Sequence, residues 1–151
     1  MEITTKGRYA VRIMVDIARH DGDYVSISHI ADRQKISQKY LEKIMSSLVK
    51  ANLVVSMRGA NGGYKLKKKV DECSVKEILD ATGESTKVAV CQAEDKCPMV
   101  DRCDTMGVWH TLNNLISDYL QSVTLKDLIE KTYPNQQLKI VNGELWIKGK
   151  M

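Results

Sequence analysis

The sequence predicts a mainly α-helical fold with one small β hairpin, and three observations support that prediction. Apolar residues recur at three- and four-residue spacing over most of the chain, as in amphipathic helices. Between residues 52 and 69 they alternate around a glycine-rich turn, as in a hairpin. A long apolar stripe then returns after residue 105. The 151 residues are enough for one compact domain, or for a small domain with an extended appendage.

Charge is distributed unevenly along the chain. Residues 1–70 carry 14 Lys and Arg against 6 Asp and Glu, whereas residues 71–151 carry 9 against 13. This asymmetry is typical of a nucleic-acid-binding region joined to a non-binding one, with chance asymmetry on solvated faces as the alternative. No apolar run reaches the roughly 18 residues that span a bilayer, and no signal peptide is evident. We therefore expect a soluble, cytoplasmic protein whose thiols stay reduced.

Three helices are predicted in the basic part. The first follows a cap at Thr4 or Thr5 and runs to about His20. Ser28 is expected to cap a short second helix that ends near Gln34. A brief turn leads to Ser37, a further cap candidate, and then to a third helix over about 38–51, which is amphipathic with a polar, mostly basic outer face. A short helix, a tight turn and an amphipathic helix together are typical of a helix-turn-helix.

A basic hairpin is predicted directly after the third helix. Residues 52–57 form one strand, residues 58–63 a glycine-rich turn, and residues 64–69 a return strand that alternates apolar and basic side chains. This order of elements is that of a winged helix-turn-helix. We expect the third helix to enter the major groove of double-stranded DNA, and Arg58 at the wing tip to reach phosphate or a narrow minor groove. The alternative is that the glycines only close a hairpin whose lysines keep its edge soluble.

The expected DNA-facing surface combines the start of the second helix, the third helix and the wing. Its residues are Ser28, Ser37, Gln38, Lys39, Tyr40, Glu42, Lys43, Arg58, Gly59, Asn61 and Gly62.

The acidic part predicts a long helix between two short ones. Capping boxes at Ser74 and Thr124 open short helices that end near Ala81 and Thr132, the second stopped by Pro134. Between them lies a helix of about 17 residues with a stripe too broad for the surface of a small domain. We expect this helix to pack on the first helix and on a second copy of itself, giving a homodimer at a palindromic site. A purely intrachain core helix is the alternative.

The tail carries Asn142-Gly143 between two alternating runs, which indicates a β-hairpin with Leu138 opposite Ile147. The predicted organisation is therefore a DNA-binding region over 1–70, a cysteine loop and dimerisation helix over 71–131, and a tail over 132–151.

Three cysteines lie in the loop that precedes the long helix. Cys91, Cys97 and Cys103 are separated by five residues each, unlike the spacing of a zinc ribbon or a bacterial ferredoxin. Wide spacing on a loop suits an iron–sulfur cluster better than a single ion, and three thiolates leave one position for another ligand. Lys96 and Arg102 each precede a cysteine and are expected to favour thiolate. Reversible disulfide chemistry and inert thiols are the alternatives. The fourth cysteine, outside this triplet, is expected to be a small, partly buried residue.

Four motifs in combination resemble a known family. They are Thr-x-Lys-Gly-Arg-Tyr-Ala ending at Ala10, Tyr40-Leu-Glu42, Arg58-Gly-x-x-Gly-Gly-Tyr64 and the cysteine triplet. Over about residues 1–131 the chain resembles the IscR-like iron–sulfur cluster regulators of the Rrf-type family of winged-helix transcription factors. The resemblance implies a homodimer that binds a 2Fe–2S cluster, senses cluster supply and regulates genes for iron–sulfur assembly. Iron–sulfur assembly proteins are further expected partners.

The resemblance also implies roles for single residues. Ser37, Lys39, Glu42, Lys43 and Arg58 match family positions that contact or screen DNA, and the position of Glu42 distinguishes two classes of site.

One position departs from the family pattern. These regulators carry a histidine three residues after the third cysteine as the fourth cluster ligand, and this chain carries Met106 there. The candidates for the fourth ligand are His110, Asp104, Met106 itself and Glu84, or a partner residue or exogenous thiol. Arg8 stands where nitric-oxide-sensing relatives carry an aspartate ligand, which argues against that branch. A cysteine-metabolism branch lacks the cysteine triplet, which argues against that one.

Two other function classes remain open. One is a metal-free thiol redox switch on the same scaffold, and the other is an interaction module that binds a metabolic enzyme. No His and Asp arrangement converges on a cysteine, and no phosphate loop or carboxylate pair is evident. We therefore do not expect an enzyme.

Overall fold

The computed structural model describes residues 1–20, 22–89 and 97–134 in full, together with the backbone of two strands in the tail. Its elements, in chain order, are α1 (Thr5–Ala18), α2 (Ile27–Gln34), α3 (Gln38–Lys50), β1 (Val54–Met57), β2 (Gly63–Leu66), α4 (Val75–Ala81), a 3-10 turn (Val100–Arg102), α5 (Met106–Ser122), α6 (Leu125–Glu130), β3 (Leu138–Val141) and β4 (Glu144–Ile147). The mainly helical fold with a small wing is therefore confirmed. None of the described helices is long and apolar enough to cross a membrane.

Side-chain caps begin most of the helices at the predicted residues. Thr4 caps α1 by accepting from the N–H of Gly7, and Ser37 caps α3 in the same way. Ser74 and Thr124 both form complete capping boxes at α4 and α6. These caps were predictable because each depends on residues only three positions apart.

The predicted start of α2 is wrong. Its cap is Ser26, whose Oγ accepts from the N–H of His29 at 3.3 Å, and the helix begins at Ile27. Ser28 therefore lies in the first turn, exposed, with its Oγ 3.2 Å from that of Ser26. The two serines are alternative caps in the sequence, and pairing of Val25 with the wing favours the earlier one.

The wing is fastened to the segment that precedes α2. β1 and β2 are antiparallel, with Val54 opposite Leu66. Tyr64 exchanges two backbone hydrogen bonds with Val25, at 2.8 and 2.9 Å. Gly63 permits this approach, because it has φ +150° and a Cβ there would lie 2.2 Å from the Val25 carbonyl oxygen. The wing is thus held against the start of α2.

One hydrophobic core joins the basic part and the acidic part of the chain. The buried faces of α1, α2 and α3 meet the inner residues of the wing, and α4 and α6 close the same core through Ile78 and Leu125. The other large, fully buried members are Ile13, Met14, Ile17, Ile30, Leu41, Ile44, Met45, Leu48 and Val54. The division of the chain at residue 70 stays a prediction, since this core takes residues from both sides of it.

The long helix α5 packs against α4. Trp109, Ile116 and Leu120 are half-buried, and Leu120 contributes to a small second cluster that also includes Val11 of α1. A second apolar face of the same helix is exposed: Val108 by 60%, Leu112 by 36%, Leu115 by 60% and Tyr119 by 43%. The predicted stripe is therefore divided between a face that contacts the body and a face that does not.

The end of α6 differs from the prediction. The helix ends at Glu130, and Lys131 adopts the left-handed conformation with φ 58°, so the chain turns before Pro134 is reached. In the tail, β3 and β4 pair with Leu138 opposite Ile147, as predicted.

Candidate nucleic-acid interface and cysteine site

The outward face of α3 is polar and exposed. Its inner face is buried in the core, which leaves Gln38, Lys39, Glu42 and Lys43 directed to solvent. The Gln38 amide donates to the Glu42 carboxylate at 3.4 Å, so these two side chains pair along the helix. Tyr40 is half-buried instead. The structure thus places four of the predicted DNA-facing side chains together on one helix surface.

The wing tip projects Arg58 from a tight turn. Gly59 has φ +113°, and the N–H of Gly62 donates to the Gly59 carbonyl at 3.0 Å. A Cβ at Gly62 would lie 2.2 Å from the Met57 carbonyl oxygen, so the turn requires glycine there. Arg58 and Asn61 are both exposed on this turn.

A solvent-open cleft of about 460 Å³ separates the wing tip from the start of α2. Its lining residues are Gly22, Asp23, Tyr24, Ser26, His29, Ala60, Asn61 and Gly62. Ser28, hydrogen-bonded to Ser26, is exposed beside it. The predicted DNA-facing residues of α2 and of the wing therefore flank one cleft.

A buried carboxylate orients α2 on α1. Asp16 is 5% exposed, and both its oxygens accept from Arg33, while Gln34 Nε2 donates to Oδ2 at 2.6 Å. Burial alone would raise the pKa of Asp16, but the hydrogen bonds from Arg33 and Gln34, and the charges of Arg33 and His20, hold it below its ordinary value. The carboxylate is therefore ionised and paired.

Arg12 links this network to α3. Its guanidinium donates to the Gln34 side-chain oxygen at 3.2 Å and to the Gln34 carbonyl at 2.9 Å. It also lies 5.3 Å from the centre of the Tyr9 ring, which meets the Tyr40 ring edge-on at 6.1 Å. Contacts from α1 thus reach both helices of the helix-turn-helix.

The cysteine segment, residues 91–103, lies just before α5. Cys97 and Cys103 flank the 3-10 turn, where the N–H of Val100 donates to the Cys97 carbonyl at 3.1 Å. Both are free, partly exposed thiols. Cys91 lies outside the described residues, as does Lys96, which was expected to favour the thiolate of the cysteine that follows it.

The pKa values of two cysteines, Cys73 and Cys103, depart from the ordinary value, and Cys103 is the one that ionises more readily. The hydroxyl and N–H of Thr105, and the N–H of Met106, lower its pKa against the effects of desolvation and of Asp104. The expected contribution of Arg102 stays a prediction, since the principal causes of the lowered pKa are these hydrogen-bond donors. Cys73 lies away from solvent, as predicted, at 1% exposure, and burial raises its pKa to about 11.

The candidate fourth ligands lie in different settings. Asp104 and Met106 follow Cys103 directly, whereas His110 is exposed on the next turn of α5, with its Nδ1 3.3 Å from Asn114 Nδ2. The Glu84 carboxylate accepts from Thr4 at the start of α1. Which of them binds a metal stays a prediction.

The donor set fits an iron–sulfur cluster. Cys97 and Cys103 supply two accessible sulfur donors, and the lowered pKa of Cys103 favours the thiolate that iron requires. Within the described ranges, no three His, Cys, Asp or Glu side chains converge as a metal site, and Cys91 lies outside those ranges.

Sequence reasoning missed three of the residues that organise this region. Asp16 and Arg33 join α1 to α2, and the buried Asn113 of α5 holds the chain at Val88 and Ala89. The one signal in the sequence was a polar residue at a core-facing position of an otherwise apolar stripe, as for Asp16 between Met14 and Ile17.

Known proteins match the chain over most of its length. A family model described as "Rrf2: Iron-dependent Transcriptional regulator" matches residues 3–131. The HTH-type transcriptional regulator IscR of Pectobacterium atrosepticum is 42% identical over 130 residues, covering 85% of this chain and 79% of that protein. The structure of CymR, the global cysteine regulator of B. subtilis, matches with TM-score 0.72 and 32% identity, covering 87% of this chain and 98% of CymR. T. potens IscR matches with TM-score 0.69 and 34% identity, covering 92% and 93%.

Proposed function

The chain belongs to the Rrf2 family of DNA-binding transcriptional regulators, and from this premise we propose that it controls transcription according to iron–sulfur supply. Membership confirms the predicted resemblance and the winged-helix fold, and it identifies a regulator rather than an enzyme. We infer that the regulated genes are those of iron–sulfur assembly, as the resemblance implies.

The proposed DNA-reading surface is the outward face of α3 together with the wing. The support is the exposure of Lys39 and Lys43 on α3, whose opposite face is buried, and the exposure of Arg58 on the wing. Lysine and arginine supply phosphate contacts, while Gln38 and Glu42 carry the hydrogen-bonding groups that read base edges. Ser28, Ser37, Tyr40, Gly59, Asn61 and Gly62 complete the proposed surface.

The proposed sensor is the cysteine segment. The observation that carries this proposal is that Cys97 and Cys103 are free, partly exposed thiols on a turn that leads straight into α5. With Cys91 they would hold a 2Fe–2S cluster, which supplies an iron-dependent and redox-sensitive cross-link of the segment. The fourth ligand would come from His110, Asp104, Met106 or Glu84, or from a partner chain or an exogenous thiol.

The proposed assembly is a homodimer through the exposed face of α5. That face carries four exposed apolar side chains along the 17 residues of the helix. Contact between such a patch and water is unfavourable, so the patch favours association. A twofold dimer would present two reading heads to a palindromic duplex.

A metal-free thiol switch is the second candidate. The similarity to the cysteine regulator CymR and the lowered pKa of Cys103 both favour thiol chemistry in this segment. Oxidation would then join two cysteine sulfurs in a disulfide, and the two electrons and two protons would pass to an oxidant such as a peroxide.

Anaerobic purification followed by visible and electron paramagnetic resonance spectroscopy separates the candidates. Cluster sensing predicts a coloured protein with about two irons and two sulfides per chain. Met106→His is expected to retain the cluster longer in air, because it restores the histidine of the family pattern. His110→Ala tests the first candidate among the other ligands. A colourless protein that forms a Cys91–Cys103 disulfide on oxidation would support the switch instead.

A further inference from the structure

The start of α1 and the end of α4 cap each other. The N–H of Thr4 donates to Glu84 Oε2 at 3.1 Å, and the Thr4 hydroxyl donates to the other carboxylate oxygen. In return, Lys6 Nζ donates to the carbonyl of Thr82, the C-cap of α4, at 2.9 Å. A carboxylate at a helix N-terminus and an ammonium at a helix C-terminus each oppose the helix dipole favourably. The two helix ends are therefore held together by reciprocal charges.

A glycine makes this approach possible. Gly7 is buried in the first turns of α1, and a Cβ added there would lie 2.7 Å from Glu84 Cγ and 2.8 Å from Glu84 Cδ. Any larger residue must displace the Glu84 side chain, which is flexible enough to move into solvent. The contact thus depends on the absence of a side chain at position 7.

The carboxylate of Glu84 is charged in this position. Burial alone would raise its pKa, but hydrogen bonds from the Thr4 hydroxyl, the Thr4 N–H and the Gly7 N–H, with the nearby charge of Lys6, hold its pKa below the ordinary value.

A second anchor holds the same segment a few residues on. The N–H of Val88 donates to Asn113 Oδ1 at 2.7 Å, and Asn113 Nδ2 donates to the carbonyl of Ala89 at 3.1 Å. Asn113 is buried on α5. Residues 84–89, here called the strap, are therefore fixed to α1 at one end and to α5 at the other. Cys91 follows two residues after the strap.

We propose that Glu84 is a positioning residue, which transmits the state of the cysteine segment through the strap to the first turn of α1. This inference rests on the proposed function for the state that is transmitted. The strap contacts α1 at Thr4 and Gly7. A displacement of the cysteine segment would therefore move the strap and, through these contacts, the first turn of α1. Two turns along α1, Tyr9 and Arg12 contact the helix-turn-helix. Helix α1 thus connects the strap to the helix-turn-helix.

Two variants break the contact in different ways. Glu84→Gln removes the charge and one acceptor oxygen. Gly7→Ala displaces the Glu84 side chain while it favours helix in α1, since alanine is a better helix former than glycine. Glu130→Gln is the matched control, because Glu130 is an exposed carboxylate at the end of α6.

Hydrogen–deuterium exchange on the full chain, reduced and free of iron, tests the contact itself. The reporting amides are those of Gly83, Glu84 and Val88, which are all hydrogen-bonded. Gly7→Ala and Glu84→Gln are both expected to raise exchange in residues 82–89 by about fivefold, the effect of losing a helix cap. In Gly7→Ala the rest of α1 stays as protected as in the wild type, so the change is not general unfolding. Unchanged exchange in residues 82–89 for both variants would overturn the inference.

DNA affinity tests the positioning role. The probe is a fluorescent duplex carrying a site that the wild-type protein selects from a random-sequence library. When loaded with as much iron as the wild type, Glu84→Gln and Gly7→Ala are both expected to have a ratio of iron-loaded to iron-free Kd about threefold closer to one, whereas Glu130→Gln preserves the wild-type ratio. If both variants keep the wild-type ratio of Kd values, Glu84 only caps α1, and the positioning role is overturned. If the wild type itself gives a ratio of one, the proposed sensing function fails, and so does transmission, while the exchange result still decides the contact.

Discussion

Asp16 is the most completely buried charged residue that the structure describes in the helix-turn-helix part of the chain. Its side chain is 4% exposed, and it binds Arg33 and Gln34, which lie 17 and 18 residues further along the chain. A carboxylate in such a place is stabilising only while its partners remain, because burial without them is costly. Asp16 therefore fixes the orientation of α2 on α1, and with it the start of the helix-turn-helix.

Asp16→Asn is expected to lower the free energy of unfolding by about 2 kcal/mol at neutral pH, because it removes the charge that Arg33 and Gln34 bind. The loss is not larger because Arg33 can still reach solvent. The lowered pKa of Asp16 sets the pH dependence. Its contribution is fully present above the ordinary pKa of 3.8 and is lost as the pH falls through the lower value of the folded state. Urea denaturation at several pH values measures both effects.

Asp80→Asn is the control for this measurement. Asp80 pairs with Lys76 on the surface and is 51% exposed, so its loss should change stability by less than about 0.5 kcal/mol. An Asp16→Asn protein as stable as the control would contradict the role given to the buried network.

Thr105 is expected to control the reactivity of Cys103. Its hydroxyl lies 3.4 Å from the Cys103 sulfur and contributes most to the lowered pKa. In the iron-free protein, Thr105→Val is expected to slow iodoacetamide alkylation of Cys103 about threefold at neutral pH, because less of the thiol is ionised. Peptide mass spectrometry follows the reaction, with the buried Cys73 as the slow internal reference. Thr111→Val, elsewhere on α5, should leave the rate unchanged, and an equal rate in Thr105→Val would refute the assignment.

At the level of helices and strands, the features predicted correctly are the ones that depend on near neighbours. The caps at Thr4, Ser37 and Ser74 depend on residues three positions away, and the wing on a local glycine turn. Ser26 was missed as the cap of α2 because the sequence offers two serines, and only pairing of Val25 with the wing decides between them.

The organisation around the cysteines was less predictable for a physical reason. Thr4 and Glu84 are 80 residues apart, and Val88 and Asn113 are 25 residues apart. No periodicity or spacing rule connects such pairs, since packing of α4 and α5 on the body brings them together. The cysteine triplet was recognisable by its spacing, whereas the contacts that hold residues 84–89 to α1 and α5 were not.

The wing as an element is expected to act through charge. Arg58→Ala should weaken binding to the selected duplex about tenfold and reduce the slope of log K against log salt by about one, as expected for one lost phosphate contact. Fluorescence anisotropy over a range of salt concentrations measures both. Lys126→Ala, which removes an exposed charge from α6, is the control. If Arg58→Ala and the wild type bound every duplex with equal affinity, the wing would not be part of the DNA interface.

The whole molecule is expected to be a twofold dimer that joins its copies through α5. Leu115 is 60% exposed at the middle of the apolar face. Leu115→Glu should therefore give a monomer, because burying an unpaired carboxylate in an apolar interface is strongly unfavourable. Light scattering after size-exclusion chromatography reports the mass against the 17.0 kDa of one chain. Thr111→Glu, an exposed polar position of the same helix, should remain dimeric, and a dimeric Leu115→Glu protein would place the interface elsewhere.

The most direct measurement of sensing is the Kd for the selected duplex, determined anaerobically with and without iron–sulfur loading. The wild-type Kd is expected to differ about tenfold between the two states, a coupling of about 1.4 kcal/mol between the cysteine site and the DNA site. A variant with Cys91, Cys97 and Cys103 all changed to alanine should bind with one Kd under both conditions. Identical Kd values for the loaded and unloaded wild-type protein would contradict the proposal that the cysteine segment controls DNA binding.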